Sequence, residues 1–448
     1  MFVWFTHKRM VIQPNPVINT SPLTSPPPSN GEPRRRRQWM TWMHYHPYVV
    51  TFACAANFAL AIGSSLSLGV FTEIFMESFG INNTQASLVI SILVSLIFGM
   101  SPMVLPVIKK FGCRRTLILS GLLASGCHIA ASFLKNYVAF LLIIGVFLGV
   151  VCSAINICSM LVVPQIFADQ KSRQVAFSLA NVGAGVGGVL FPFIFETLLQ
   201  KYSWRQTIFI TGAIMLHLVP LAMVFPEHLN YHEDKDKIVE DEAGDSLRKT
   251  HRPLWKSATF LLLQPCFFVV QGLTSAFHAF VFPLLHEHGV SFAMAAVVMM
   301  IVQAVSIPGR LTPAFTRNLI KVHTFYQFCV YTAMFAASVL IMSVFGAVWL
   351  AAVASAVFVG FGMGGMFSIF PTALSDSFHD SQLHVALSIS SFTFGVGGFL
   401  TPIATGYLID HTGTYVLPLA AISAVLVSFV LLLLLYRVFC QLCKVVVT

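Results

Sequence analysis

"NVGAGVGGVLFP", Asn181 to Pro192, carries Gly183-x-Gly185-x-x-Gly188, the spacing of a dinucleotide-binding turn. That turn needs a strand before it, a helix opening at the glycines and an acidic residue roughly twenty positions on. Here the glycines sit inside an apolar run of helix-spanning length, and "SWRQTIFI" at 203–210 holds no acid. The stretch is also duplicated: "GVGGVLFP" at 185 returns as "GVGGFLTP" at 395, 210 residues later. The same offset sets Ser178 over Ser388, Leu190 over Leu400, Pro192 over Pro402 and Gly99 over Gly309, with Thr393 in place of Gly183. A cofactor cradle does not account for this; a chain built from two repeats does. Gly183-x-x-x-Gly187 and Ala184-x-x-x-Gly188 then read as faces of small residues that let another helix pack closely.

Composition carries the reading outward. The 448 residues are 56% hydrophobic and 10% charged, whereas soluble domains carry about a quarter charged residues. Apolar segments run over 48–71, 85–108, 116–134, 137–163, 175–199 and 206–226, then 255–284, 291–318, 324–343, 348–374, 384–408 and 416–439. Each is long enough to cross a hydrocarbon layer of about 30 Å as a helix. Without water the backbone must bond within a helix or a closed barrel, and these runs are too long for barrel strands. The expected fold is an all-α membrane protein of twelve transmembrane helices in two six-helix parallel repeats. Its expected parts are a disordered cytoplasmic N-terminal tail (1–47), the first half (48–226), a cytoplasmic linker (227–254), the second half (255–439) and a cytoplasmic C-terminal tail (440–448).

With both termini inside, 22 of the 26 Lys and Arg residues fall in cytoplasmic tails and loops. Lys135, Lys201 and Arg205 fall outside, and Arg310 within a span. That is a strong positive-inside bias. The net charge of +9 therefore reflects topology and a lipid bilayer, not nucleic acid. No paired carboxylates, His-rich set or nucleophile–base arrangement lies within the spans, so neither an enzyme nor a cofactor or metal site is expected. Asn82-Asn83-Thr84 is a glycosylation sequon on an outside loop, and Cys440 and Cys443 are juxtamembrane candidates for acylation.

Three stretches then become specific. "IFADQKSRQVAFSLANVGAGVGG" sets Phe167, Lys171, Arg173, Ala176, Ala180, Gly183 and Gly187 in a pattern from which Ser172 and Ser178 depart. "KFGCRRTLILSGLLASG" and "GFLTPIATGYLIDHTGTYVLPLAAISA" accompany it. Together they resemble the monocarboxylate transporter family, solute carrier family 16-like, of the major facilitators, over roughly residues 48–439 outside the linker. The family's first-helix acidic-Gly-Gly-Trp motif is replaced here by "HYHPYVV". Lys109, Lys110, Arg114 and Arg115 resemble the helix 2–3 gating loop of major facilitators, with Lys109 where an Asp is usual; simple positive-inside anchoring is the alternative. The resemblance implies alternating access about a midplane site between the halves. It implies a small organic anion or amino-acid-like solute, a plasma-membrane location and room for a single-span immunoglobulin-like accessory protein. A non-transporting scaffold or receptor that keeps the fold is the alternative.

Arg310 is the sharpest substrate candidate. Its repeat counterpart is Met100, nine residues before Lys109, which sets it about 13 Å inside the helix end at 1.5 Å per residue. An arginine there costs several kcal/mol unless it faces a cavity or a partner, and its fork suits a carboxylate. The bland alternative is an arginine tied to a neighbouring helix's carbonyls. Ser306 and Ser368 come next, then Asn57 and Asn156, all of which could instead bond between helices. His278, His286 and His288 read as interfacial side chains. Proton-coupled lactate relatives carry an Asp one turn before this Arg and a Lys in the first helix; the matching positions here are Ser306 and Leu66. A serine does not exchange a proton near neutral pH, so the resemblance points away from typical proton–lactate symport.

Overall fold

The structure, a computed structural model, describes residues 47–227 and 254–447 apart from 82, 168, 321 and 379. The expected N-terminal tail, nearly all of the linker, Asn82 and the side chains of Cys440 and Cys443 lie outside the described residues. The first half holds α1 (Pro47–Phe71, continued by Thr72–Phe79), α2 (Asn83–Gly99 and Ser101–Phe111), α3 (Cys113–Phe133), α4 (Tyr137–Ile166), α5 (Gln170–Leu199) and α6 (Trp204–Ala222). The second holds α7 (Ala258–Glu287), α8 (Phe292–Leu319), α9 (Thr324–Phe345), α10 (Trp349–Ser377), α11 (Asp380–Thr412) and α12 (Val416–Val447). Among the described residues, eleven helices are long and apolar enough to cross a membrane, and the two bent pieces of α2 make the twelfth. Large side chains such as Phe52, Phe133 and Leu350 are exposed on the outside of the bundle, as a lipid-facing surface requires. Successive spans alternate in direction, so the loops at residues 112, 167–169 and 320–323 share one end of the bundle, here the basic-loop face.

The duplication appears as duplicated contacts. A Cβ at Gly187 would strike the backbone of Ala59 on α1, and one at Gly397 the backbone of Phe268 on α7. A Cβ at Gly185 would touch Ile307 and Arg310 on α8, and one at Gly395 would strike Ser95 and Gly99 on α2. Gly183 rests on the Ala55 carbonyl, whereas Thr393 in the second copy donates its hydroxyl to Gln264 Oε1 on α7 at 2.8 Å. One expectation needs correcting. A Cβ at Gly188 would meet nothing within 4 Å, so the face of Ala184 and Gly188 does not need a glycine at 188 for close packing. The reason is that α5 is wedged between α1 and α8. Gly183 and Gly187 meet the first, and Gly185, on the other side of the helix, meets the second.

Three spans are irregular. α1 contains a π-turn at Ala59–Gly63 and a 3₁₀ turn at Leu68–Phe71, and α4 contains a π-turn at Leu141–Phe147. Backbone groups freed in a bilayer must be satisfied locally. Around the π-turn of α1, Ser64 donates to Leu60 O, Ser65 to Ala61 O at 2.6 Å and Ser67 to Gly63 O at 2.7 Å. α2 bends by 51° between its two pieces. Pro102 has no N–H for the Phe98 carbonyl, and Ser101 Oγ donates to that carbonyl instead, at 2.8 Å.

Candidate functional site

Asn57, Asn156, Asn181, Arg310 and Ser368 stand on α1, α4, α5, α8 and α10, each nine to eleven residues from the basic-loop end of its helix. At 1.5 Å per residue that is one polar layer about 13–17 Å deep. All five are buried.

Arg310 is the layer's one charge and is 6% exposed. Its Nη1 donates to Asn181 O at 3.2 Å, and its Nε has no partner. No carboxylate among the described residues pairs with it. Gly185 makes the room: a Cβ there would lie 3.1 Å from Nε. Asn156 is 0% exposed, with both amide atoms unpartnered. Asn57 Nδ2 donates to Ser159 Oγ at 3.3 Å, which leaves its Oδ1 unpartnered. Buried polar groups left unpaired cost about 1–3 kcal/mol each, so these atoms are open to a further partner. The layer offers a guanidinium N–H, an amide donor and amide acceptors, and no competing negative charge.

The two serines are used differently. Ser306 Oγ donates to Gln303 O at 2.8 Å within its own helix. Ser368 Oγ donates to the Arg310 carbonyl at 2.7 Å and is hydrogen-bonded to Ser178 Oγ at 3.0 Å. That ties α10, α8 and α5 together beneath Arg310. Both hydroxyls serve the scaffold in this conformation.

A second cluster, which the sequence did not disclose, joins the halves at the basic-loop face. Arg317 Nη1 pairs with Asp376 Oδ2 at 2.5 Å, and Thr324 Oγ1 donates to the same oxygen. Arg317 also reaches across to α5, donating to Gln174 Oε1 at 3.3 Å and Gln170 Oε1 at 3.1 Å. Gln174 Nε2 returns bonds to Pro313 O at 2.7 Å and Gln327 Oε1 at 3.2 Å. Arg317 had a sequence signal, seven residues after Arg310 on the same face, but its partners are distant in the chain.

The basic motif residues lie apart from this lock. Arg173 Nε donates to Phe167 O at 2.6 Å, bracing the loop before α5. Asp169 caps α5; the Ser172 N–H on its carboxylate, at 3.0 Å, holds that carboxyl below the ordinary range. Lys171 lines a cavity of about 120 Å³ with Tyr48, Thr51 and Phe167. Arg114 Nε donates to Phe225 O at 2.7 Å and Arg115 pairs with Glu227 at 2.7 Å. Arg114 thus bonds within the first half and Arg115 to the first residue of the linker.

Comparison with known proteins fits this geometry. The family model of the Major Facilitator Superfamily matches residues 53–346 and 327–439. Monocarboxylate transporter 12 of Mus musculus is 24% identical over 78% of this chain and 76% of its own. Monocarboxylate transporter 12 of Xenopus laevis is 25% identical over 68% of this chain and 70% of its own. Monocarboxylate transporter 6 of Mus musculus is 32% identical, over 38% of this chain and only 36% of its own length. Among solved structures, the proton:xylose symporter XylE bound to 6-bromo-6-deoxy-D-glucose superposes with a TM-score of 0.67 at 13% identity, over 86% of this chain and 94% of that one. The transporter FucP in its outward conformation superposes with 0.66 at 16% identity, over 88% and 99%.

Proposed function

The chain belongs to the Major Facilitator Superfamily, and from that premise we propose that it moves a monocarboxylate or related small organic solute by alternating access, as the free anion. The observation that carries this reading is Arg310: a buried guanidinium between the halves, with an open donor and no carboxylate partner among the described residues. A solute carboxylate supplies the missing acceptor, and the free amide atoms of Asn156 and Asn57 supply polar contacts for the rest of the molecule. Ser306, in place of a titratable acid, supports movement without obligatory proton coupling. The lock around Arg317 closes the basic-loop face, which the positive-inside bias assigns to the cytoplasm. The conformation described is then closed inside. Plasma-membrane residence and a single-span immunoglobulin-like accessory chain are part of the same proposal and rest on the resemblance to the monocarboxylate transporters.

The test is uptake into proteoliposomes across monocarboxylates, aromatic amino acids, and carnitine-like and creatine-like solutes. The expected result is that a carboxylate-bearing solute equilibrates across the membrane, and that an imposed pH gradient does not raise its final level. Gradient-driven accumulation would overturn the uncoupled mechanism. Movement of no solute at all would favour a scaffold or receptor.

A further inference from the structure

Gln303, Arg310 and Arg317 are spaced by seven residues on α8, and so each falls within about 20° of the next around the helix. The two arginines belong to the central layer and the lock. Gln303 lies further toward the opposite face, and its Nε2 is 3.4 Å from Nε2 of His278 on α7. The other imidazole nitrogen, Nδ1, is 2.8 Å from Thr274 O. A carbonyl can only accept, so the Nδ1 proton is fixed there and the neutral ring keeps a lone pair on Nε2. That lone pair accepts from the Gln303 amide. His278 is only partly buried, and the proposed subsite takes its proton from the outer face.

Protonation inverts the pair. Nε2 then carries an N–H that points at the N–H of Gln303. Two donors facing each other are relieved by an oxyanion that accepts from both, or by a flip of the Gln303 amide. We propose that His278 and Gln303 form an outer subsite for the carboxylate of the transported solute, occupied when His278 is protonated and preceding Arg310 on the path. The proton comes from the outer solution, adds to Nε2, and returns to the same solution when the carboxylate moves on to Arg310. Nothing is carried with the solute, which keeps the subsite compatible with uncoupled transport. The proposal rests on the carrier reading above.

The charged neighbours are few. On α8 the next is Arg310, about 10 Å deeper along the axis, and it favours an anion as well. α7 has His286 and Glu287 at its outer end, and Glu287 is held by Thr414 Oγ1 at 2.5 Å and Tyr415 N at 2.8 Å. α11 places Asp410 and His411 near its outer end, with His411 Nδ1 at 2.9 Å from Tyr407 O. α9 and the outer part of α12 carry no charged residue. Among the described residues none of these groups is hydrogen-bonded to the His278 ring, whose hydrogen-bond and ring partners are Thr274, Gln303 and Phe277.

Two measurements decide it. In proteoliposomes with equal pH on both sides, lowering the pH from about 7.5 to about 5.5 should lower the uptake KM of wild type roughly three- to tenfold. His278→Gln and Gln303→Leu should keep a flat, high KM. An unchanged pH dependence in His278→Gln, or none in wild type, overturns the subsite. The second readout needs no transport. In the purified protein labelled with ¹³C at histidine Cε1, a resonance missing in His278→Gln should titrate between about pH 5 and 8. Its midpoint should rise in sodium acetate relative to equimolar sodium chloride. A resonance that does not titrate, or that ignores acetate, removes the subsite even if the carrier reading stands. A responsive resonance in a protein that moves no solute would keep the subsite and remove the carrier reading.

Discussion

Arg310→Gln is expected to lower uptake kcat/KM by roughly a hundred- to a thousandfold, because removing one partner of a buried charged hydrogen bond costs about 3–4 kcal/mol. Glutamine keeps a single amide donor for the Asn181 carbonyl and loses both the charge and the fork. The fold should survive the change. Ser368 grips the main-chain carbonyl of residue 310, not the guanidinium, and Gly185 leaves space for either side chain. The loss should therefore appear in transport at normal expression, with Arg310→Lys intermediate because it keeps a point charge without the planar fork. Wild-type transport by Arg310→Gln would make the arginine a tie between α8 and α5 and nothing more.

The second large effect lies in folding. Gly183→Ala is expected to yield no monodisperse protein, while Gly188→Ala, five residues along the same helix, behaves as wild type. A Cβ at 183 falls on the Ala55 carbonyl of α1, and main chain cannot turn aside as a side-chain tip can. A Cβ at 188 meets nothing within 4 Å. Overpacking typically costs 1–3 kcal/mol, and about the top of that range or more is expected against backbone. Size-exclusion profiles and melting of the two purified variants separate the cases. Equal behaviour would mean that α1 and α5 are not in the register described.

These expectations show what the chain disclosed before folding. The 210-residue offset is a statement about architecture, and it carried the two-repeat organisation and the depth of Arg310 with it. The structure puts Arg310 nine residues from Leu319, as its counterpart Met100 predicted. Side-chain partners were another matter. Ser306 reads as a site residue by its nearness to Arg310 and Ser368 by resemblance to the family, while in the conformation described both hydroxyls bond carbonyls, as hydroxyls within helices readily do. Arg317 and Asp376 pair within the second half but lie on different helices, and Gln174 joins them only once the two halves have docked, so no local pattern marks the cluster. The glycines of α5 rest on Ala55 and Ala59 beside the π-turn of α1, and helix periodicity does not register such a contact. His278 reads as interfacial from its place toward the outer end of α7, and its contact with Gln303, on the next span, is not legible in the sequence.

On the proposed mechanism the solitary charge of Arg310 has an electrical consequence. With a carboxylate bound the centre is neutral; once emptied it carries one positive charge. A centre that alternates its access in this way passes one negative charge across the membrane with every solute delivered. Membrane voltage then acts as a driving force, worth about 2.3 kcal/mol per charge at 100 mV, or roughly fiftyfold in the final concentration ratio. In a cell with a negative interior that force points outward. An aspartate beside the arginine would cancel it, and Ser306 holds that place.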